Sequence, residues 1–186
     1  MAERKKVTRE LICSAALSII GGDGAEALSM RTLAATLGIR APSLYDHVRN
    51  RDEVIALVQS AGLKDFGDGF SNAGPGVGDK VLFYRSWALE NPNLYPVVFQ
   101  QRLHRELLTP GLEEGVLALV IQAVGGSHEL ARTMWAQLHG LVDLELQGRL
   151  PADADLTTTW NLVVTGLEQT QRAQKQTISR ADTVQP

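Results

Sequence analysis

Apolar residues recur along this chain at helical spacing, and no stretch longer than a few residues alternates as a strand does. The first pattern predicts a helix over residues 8–20, ended by Gly21 and Gly22. Asn50 is predicted to open a fourth helix. The other predicted helices cover about 29–37, 42–48, 81–90, a short piece through Phe99, 110–124, 127–149 and 156–172. The chain is therefore predicted to be all-α.

The second and third predicted helices are joined by a tight turn. Ser29 can cap the start of the second, because its hydroxyl accepts a hydrogen bond from an unpaired backbone N–H. Gly38 suits the left-handed conformation that commonly follows a helix. Pro42 suits the first turn of the third helix, where its missing N–H costs nothing. The third helix, short and following a tight turn, is shaped to enter a DNA groove.

The third predicted helix has one apolar side. Leu44 and Val48 are four residues apart, so both are expected to face the core. Tyr45 and His47 then point elsewhere, toward solvent or a partner. Asn50 is followed three residues later by Glu53, which resembles the capping box of a following helix.

Residues 8–57 resemble the helix-turn-helix head of the TetR family of bacterial transcriptional regulators. The resemblance implies a dimer that binds double-stranded operator DNA and a small-molecule effector. A weaker resemblance over 91–99 and 135–140 indicates the subfamily marked by a Trp and then a His-Gly pair on one long helix. The residues that match the head are Leu11, Ala15, Ala16, Gly24, Arg31, Leu33, Ala34, Leu37, Gly38, Pro42, Ser43, Leu44, Tyr45, His47, Val48 and Asn50.

By this resemblance, a small set of residues is expected to contact DNA. An arginine can hold guanine through two hydrogen bonds, whereas Tyr and Ser more often bond phosphates, which set register without carrying sequence information. An arginine beside a helix N-terminus suits a phosphate. The predicted DNA contacts are Arg31, Pro42, Ser43, Tyr45, His47 and the phosphate-binding Arg51.

Asp46 departs from the family pattern, which often has an aromatic or basic residue there. A carboxylate near phosphates is repulsive, so Asp46 either accepts a hydrogen bond from a cytosine amino group or pairs with Arg49. It is also the one feature that favours a different function, a helical dimeric module that binds a small molecule or a protein and no longer binds DNA.

The resemblance places an effector site among the C-terminal helices. Apolar walls with few polar groups suit a small apolar or amphipathic ligand, although Trp and Met at helical spacing are also typical of an ordinary core. His139, if buried, needs a partner, and Asp143 and Glu145 are the nearby candidates. The candidate ligand residues are Trp87, Tyr95, Phe99, Met134, Trp135 and His139.

These features predict four segments. Residues 1–50 form the helix-turn-helix DNA-binding domain, 51–62 a connecting fourth helix, 63–175 a helical ligand-binding and dimerisation domain, and 176–186 a polar, disordered tail. The composition of residues 66–78, rich in glycine, predicts a flexible loop. The two long C-terminal helices could form a four-helix bundle with a second copy, unless the core of one chain uses all of their apolar faces.

The net charge of −3 does not exclude a DNA-binding protein, because phosphate contact needs a basic stripe rather than a basic chain. The first sixty residues hold eight Lys and Arg against seven Asp and Glu. Their basic residues cluster at the start and after the third predicted helix. Those residues are Arg4, Lys5, Lys6, Arg9, Arg49 and Arg51.

Several other classes are disfavoured. No apolar run is long enough to span a bilayer, no secretory signal is recognisable, and Cys13 is the only cysteine, which together predict a cytoplasmic protein. His128 and His139 lie about 16 Å apart along one predicted helix, too far to share an ion. Because phosphate-binding loops and nucleophile motifs are also missing, we expect neither an enzyme nor a metal or cofactor site.

Overall fold

The computed structural model describes residues 7–183, the last seven of them by backbone alone. Within this range the chain is all-α, without strands, as predicted. Short 3-10 or π-helical turns cover Ala25–Ala27, Ala41–Leu44, Pro96–Gln100 and Arg105–Leu107. The α-helices are α1 (Arg9–Asp23), α2 (Met30–Thr36), α3 (Arg51–Asn72), α4 (Val77–Glu90), α5 (Leu112–Ala123), α6 (His128–Leu146) and α7 (Leu156–Thr183).

The helices form two compact units. Of the described residues, unit 1 contains those up to Phe66 together with residues 91–113. Unit 2 contains residues 67–90 and those described from Glu114 onward. Residues 63–66 and 91–113, which the sequence analysis placed in the C-terminal domain, pack with the N-terminal helices in unit 1.

The core of unit 1 is built from the apolar faces of α1, α2 and the first half of α3. Thr8 caps α1 through a hydrogen bond from the Leu11 amide, at 3.3 Å. The helix then continues through Gly21 and Gly22, which were predicted to end it, and stops at Gly24, whose φ of 80° suits glycine. The core residues include Ile12, Ala16, Ile20, Leu33, Leu44, Val54, Val58 and Val97.

Residues 91–113 are tied to α3 by the fully buried side chain of Gln59. Its amide nitrogen donates to the carbonyl oxygens of Val97 and Arg102, both at 3.0 Å. Its amide oxygen accepts from the His104 N–H at 3.2 Å. Both N–H donors and the carbonyl oxygen of the amide are therefore hydrogen-bonded, so this polar side chain is buried in the core without an unpaired atom.

Helix α3 corrects two predictions about glycine. It does not end near Gly62, and the stretch predicted as a loop over 66–78 is helical as far as Asn72. The physical reason is close packing: a Cβ atom built at Gly62 would lie 2.4 Å from Val98 Cγ2, and one at Gly69 would lie 2.4 Å from Phe83 Cζ. The glycines admit neighbouring side chains rather than making the backbone flexible.

The C-terminal end of α3 is held within unit 2 by Lys80, which is 9% exposed. Its ammonium donates to the carbonyl oxygens of Phe70 and Ser71, and it lies 5.2 Å from the centre of the Phe70 ring. A cation at the last carbonyls of a helix complements the negative end of the helix dipole. Lys80 of α4 thus fixes where α3 stops.

The core of unit 2 lies where α4 packs on α6 and α7. Ser127 caps α6 as predicted, accepting from the Leu130 N–H at 3.1 Å. Met134 and Leu138 of α6 and Trp160 of α7 are buried. The pattern of apolar positions located these helices correctly.

Helix α7 extends beyond its predicted end. It runs through Thr183, past residue 176, where the sequence predicts a disordered tail; residues 184–186 lie outside the described residues. The stretch from Arg172 to Lys175 consists of good helix formers, and once a helix exists each further residue adds one hydrogen bond. A polar composition therefore did not prevent the helix from continuing.

Candidate nucleic-acid interface and ligand site

Helix α2 is held at both ends by the groups that the sequence predicts. The Ser29 hydroxyl accepts from the Thr32 N–H at 3.1 Å, and the Thr32 hydroxyl accepts from the Ser29 N–H at 2.9 Å, which completes a capping box. After the helix, Gly38 turns the chain with φ of 66°. This turn sets the direction in which the next segment leaves α2.

The recognition segment, which we define as residues 41–47, is tighter than the predicted α-helix over 42–48. It is a 3-10 turn from Ala41 to Leu44 followed by three turn residues. The Tyr45 N–H donates to the Pro42 carbonyl at 3.2 Å and the His47 N–H to the Leu44 carbonyl at 2.9 Å. Pro42 lacks a donor, and no side chain caps the segment, so a stretch this short does not sustain an α-helix.

The side chains of the recognition segment divide between core and surface as the spacing predicts. Leu44 and Val48 are buried, at 0% and 2% exposure. Tyr45 is 54% exposed, which excludes a core role for its ring. Ser43 and His47 are half-buried and Pro42 is exposed.

The five arginines between residues 7 and 60 differ in what they bind. Arg9, Arg49 and Arg51 hydrogen-bond within unit 1. Arg31 and Arg40 are exposed and have no hydrogen bond or ion pair through their side chains among residues 7–183. Arg40 stands directly before the recognition segment, and the sequence analysis missed it. The feature of the sequence that could have indicated Arg40 is its position in the turn, two residues before Pro42.

Arg51, predicted to contact phosphate, has an internal role in the structure. Its guanidinium donates to the carbonyl oxygens of Leu28 and Ala25, both at 2.9 Å. It thereby fixes the turn between α1 and α2 against the start of α3. The phosphate contact stays a prediction.

Asp46 is exposed, and the sequence predicts two alternative partners for it, Arg49 and a cytosine amino group. Arg49 pairs with Glu53 at 3.2 Å rather than with Asp46. The alternative, a hydrogen bond from a cytosine amino group, stays a prediction. The basic residues Arg4, Lys5 and Lys6 lie outside the described residues.

Glu53, which is only 8% exposed, accepts several hydrogen bonds behind the recognition segment. Its carboxylate accepts from the Arg49 N–H at 2.8 Å and from Arg9 NH1 at 2.7 Å. The Arg49 backbone bond lowers the pKa of Glu53 most, burial opposes it, and the Arg9 and Arg49 side chains lower it further, to about 2. The predicted capping box is half present, because Asn50 accepts from the Glu53 N–H at 3.0 Å while the Glu53 side chain bonds Arg49 instead.

The predicted ligand residues fall in both units. In unit 2, the His139 Nδ1 is 2.6 Å from the Tyr84 hydroxyl, a partner that the sequence did not indicate. Trp135 packs edge-on to Tyr84 with ring centres 5.4 Å apart. Trp87 and Met134 are buried in the same unit, at 5% and 0% exposure.

Glu145 of unit 2 serves a separate network. It binds Arg85 at 2.6 Å and accepts from the Trp160 indole N–H at 2.9 Å. Burial favours a raised pKa for Glu145, but the hydrogen bonds from Arg85 and Trp160 outweigh it and leave that pKa below its ordinary value. The charge is therefore retained and satisfied, and it joins α4, α6 and α7.

The other two predicted ligand residues lie in unit 1. Tyr95 is fully buried, and its ring centre is 5.6 Å from that of Phe99. Phe99 in turn packs edge-on to Phe66 at 5.0 Å. These aromatics form a packed cluster with Phe66 of α3.

Neither a metal site nor a membrane-spanning helix is found in the described part of the chain. Residues 7–183 contain no group of three or more His, Cys, Asp or Glu side chains arranged to hold a metal ion. None of the helices in that range is both long enough and apolar enough to cross a bilayer.

Comparison with known proteins gives consistent matches. Residues 81–167 match the family model described as the tetracyclin repressor-like C-terminal domain. An uncharacterised HTH-type transcriptional regulator of Mycobacterium tuberculosis is 30% identical over 163 residues, which cover 80% of this chain and 74% of the relative. The Trp…His-Gly subtype stays a prediction, because the family model is described only as this C-terminal domain.

Solved structures share the fold. Apo ActR from Streptomyces coelicolor superposes with a TM-score of 0.65 at 22% identity, covering 92% of this chain and 99% of ActR. The multidrug binding protein EbrR, complexed with imidazole, superposes with a TM-score of 0.63 at 21% identity, covering 89% of this chain and 95% of EbrR.

Proposed function

The chain belongs to the TetR family of HTH-type transcriptional regulators, and from this premise we propose that it is a repressor released from a palindromic operator by a small-molecule effector. The observation that carries the proposal is the exposure of Tyr45 in the recognition segment, in a unit that also exposes Arg31 and Arg40, two cations that nothing in the described residues neutralises. A regulator of this kind acts on chromosomal DNA, so we place it in the cytoplasm.

The proposed DNA contacts follow from exposure. Tyr45 and Ser43 bond phosphates and fix the register of the segment in the groove. Arg31 and Arg40 supply charge, and either can hold a guanine edge through two hydrogen bonds. His47 is half-buried and its backbone carbonyl accepts from Arg9, so only its ring is available to DNA.

We place the effector site in unit 2, around Trp135 and His139. The pair of Tyr84 and His139 gives a polar point beside aromatic walls, which suits a small amphipathic molecule. EbrR, which shares the fold, is a multidrug binding protein. The effector must bind better to the conformation that releases DNA, since only differential affinity shifts an equilibrium.

The proposed regulator is a homodimer, and a second copy of the chain is the partner that fits the surface of α6 and α7. A groove between these helices is lined by Leu130, Leu162 and Leu167, and Leu162 is 67% exposed. Gly166 lies in the same groove with open space where a side chain would stand. Two helices from each copy make a four-helix arrangement that buries this apolar surface.

Selection of random duplex DNA on the purified protein, followed by sequencing, tests the proposed function. We expect one palindrome to be enriched. Tyr45→Ala and Arg31→Ala should each weaken binding to it by tenfold or more, about 1–3 kcal/mol, because each removes a contact to DNA. Fluorescence anisotropy measures the affinity, and size-exclusion chromatography shows that the variants remain folded dimers.

Arg149→Ala is the matched control, since Arg149 is equally exposed but lies in unit 2. It should leave affinity unchanged. Ordinary operator affinity in both head variants would rule out the assigned contact face.

Asp46 favours a second candidate, a helical dimeric binding module whose head no longer binds DNA. The two functions differ in salt dependence: each phosphate contact gives a log–log slope of about −0.9 for B-DNA. Weak binding with no dependence on salt, and no enriched sequence after bound ligands have been stripped from the protein, would favour the second candidate.

A further inference from the structure

Glu53 joins three separate pieces of the chain behind the recognition segment. Its carboxylate binds Arg9 of α1 at 2.7 Å, the Arg49 N–H at 2.8 Å and the Arg49 side chain at 3.2 Å. Glu53 itself lies in the first turn of α3, where its own N–H donates to Asn50. One nearly buried side chain thus connects α1, the turn that follows the recognition segment, and α3.

The connection reaches the recognition segment through its backbone. The same Arg9 nitrogen that binds Glu53 also donates to the His47 carbonyl oxygen at 2.9 Å. His47 is the last residue of the segment, and Arg49, which Glu53 also binds, follows two residues later. Backbone contacts of this kind set the direction of the segment without depending on its outward-facing side chains.

The need for such a support follows from how little else holds the segment. Its hydrogen bonds are mainly of the i to i+3 type, its N-terminus has no side-chain cap, and Leu44 and Val48 anchor only its inner face. A 3-10 turn has poorer hydrogen-bond geometry than an α-helix. The contacts at Glu53 supply the missing restraint at the C-terminal end.

We propose that Glu53 is a positioning residue for sequence-specific DNA binding, which orients the recognition segment through Arg9 and Arg49 without touching DNA. This inference rests on the proposed function. Specificity depends on placing side chains accurately against base edges, whereas nonspecific binding depends on charge. Glu53 should therefore govern specific binding and leave nonspecific binding intact.

The negative charge of Glu53 means that the two explanations predict opposite changes in DNA affinity when it is removed. A carboxylate close to DNA repels phosphates, so its removal should strengthen binding if electrostatics alone mattered. If Glu53 positions the recognition segment, its removal should instead weaken binding to the selected sequence. Asp52 precedes Glu53 in the same helical turn, is exposed and carries the same charge, so it offers a matched control.

The experiment compares wild type, Glu53→Gln and Asp52→Asn on the selected duplex and on a scrambled duplex over a range of salt. For Glu53→Gln we expect the ratio of specific to nonspecific affinity to fall by about tenfold or more, the size of losing one good base contact. Its nonspecific affinity and salt slope should be unchanged or slightly stronger. Asp52→Asn should bind both duplexes equally or slightly more tightly, with the ratio unchanged.

Two further variants guard against a folding defect in Glu53→Gln. Arg9→Met removes the bond to the His47 carbonyl but leaves the Arg49 bonds to Glu53, and it should lower the same ratio. Arg9→Lys keeps a cation and a donor and should recover part of it. Circular dichroism and thermal melting confirm that each variant is folded at the assay temperature.

The outcomes separate the two proposals. A wild type that binds selectively, with the ratio unchanged in folded Glu53→Gln or Arg9→Met, overturns the role of Glu53 alone. A wild type that selects no sequence overturns the proposed function and this inference with it.

Discussion

At the scale of single residues, the charge on Glu53 makes the stability of the fold depend on pH in the acid range. Its pKa of about 2 lies below the ordinary value of 4.5, first because the Arg49 N–H binds the carboxylate and then because Arg9 and Arg49 do. When the pKa of a carboxyl group is lower in the folded than in the unfolded state, its charged form stabilises the fold. That stabilisation is fully present at pH values above the unfolded-state pKa. That stabilisation is lost as pH falls from about 4.5 toward 2.

We therefore predict that acid narrows the difference in unfolding free energy between wild type and Glu53→Gln. The difference should be constant from neutral pH down to about pH 5 and then shrink, since glutamine cannot titrate. Urea denaturation followed by circular dichroism measures it. A difference that stays constant to about pH 3 would mean that the hydrogen bonds do not depend on the charge of Glu53.

Residues whose partners lie nearby in sequence were predictable, and those with distant partners were not. Ser29 and Gly38 serve the turn in which they stand, and their conformations match the prediction. Arg51 binds carbonyls 23 and 26 residues away, and Arg9 binds a carboxylate 44 residues away. No periodicity or local spacing encodes such a pair, so the sequence could not separate structural arginines from those free to meet DNA.

At the scale of helices, glycine misled the sequence analysis because it has two uses. It marks loops when it supplies backbone freedom, and it sits inside helices when a neighbour comes too close for a side chain. In α3 the second use applies, as the contact of Gly62 with Val98 demonstrates. Only the tertiary structure shows which neighbour is close.

Two glycine-to-alanine changes should therefore shift stability in opposite directions. Gly62→Ala places a Cβ 2.4 Å from Val98 Cγ2, and because valine is stiff at χ1 we expect a loss of about 1–3 kcal/mol. Gly115→Ala in α5 meets no atom within 4 Å and should stabilise by about 0.5–1 kcal/mol. Urea denaturation of both variants measures the shifts. Equal signs would contradict the packing role of Gly62.

At the scale of the molecule, the chain does not divide at a single boundary. Residues 91–113 return to unit 1 after residues 67–90 have passed through unit 2, and Gln59 holds them there through three hydrogen bonds. Sequence composition marks boundaries between consecutive segments, so a unit built from two separated stretches leaves no signal in it. The all-helical fold was predictable from the sequence; the packing of residues 91–113 in unit 1 was not.

The proposed homodimer needs a second copy of the chain, and Leu162 offers the most direct test of it. At 67% exposure in the groove of α6 and α7, it is an apolar side chain that a partner copy would bury. Leu162→Glu would place a charge in the interface, and an unpaired buried charge is strongly unfavourable. We expect light scattering to show the mass of one chain for this variant, and that of two for wild type.

The same variant should lose operator affinity although its head is untouched. A monomer binds one half-site at a time, so the advantage of linked half-sites disappears. Asn161→Glu adds the same charge at the adjacent exposed position, outside the groove, and should leave both mass and affinity unchanged. If Leu162→Glu remained a dimer with full operator affinity, the groove of α6 and α7 would not be the surface that joins the two copies.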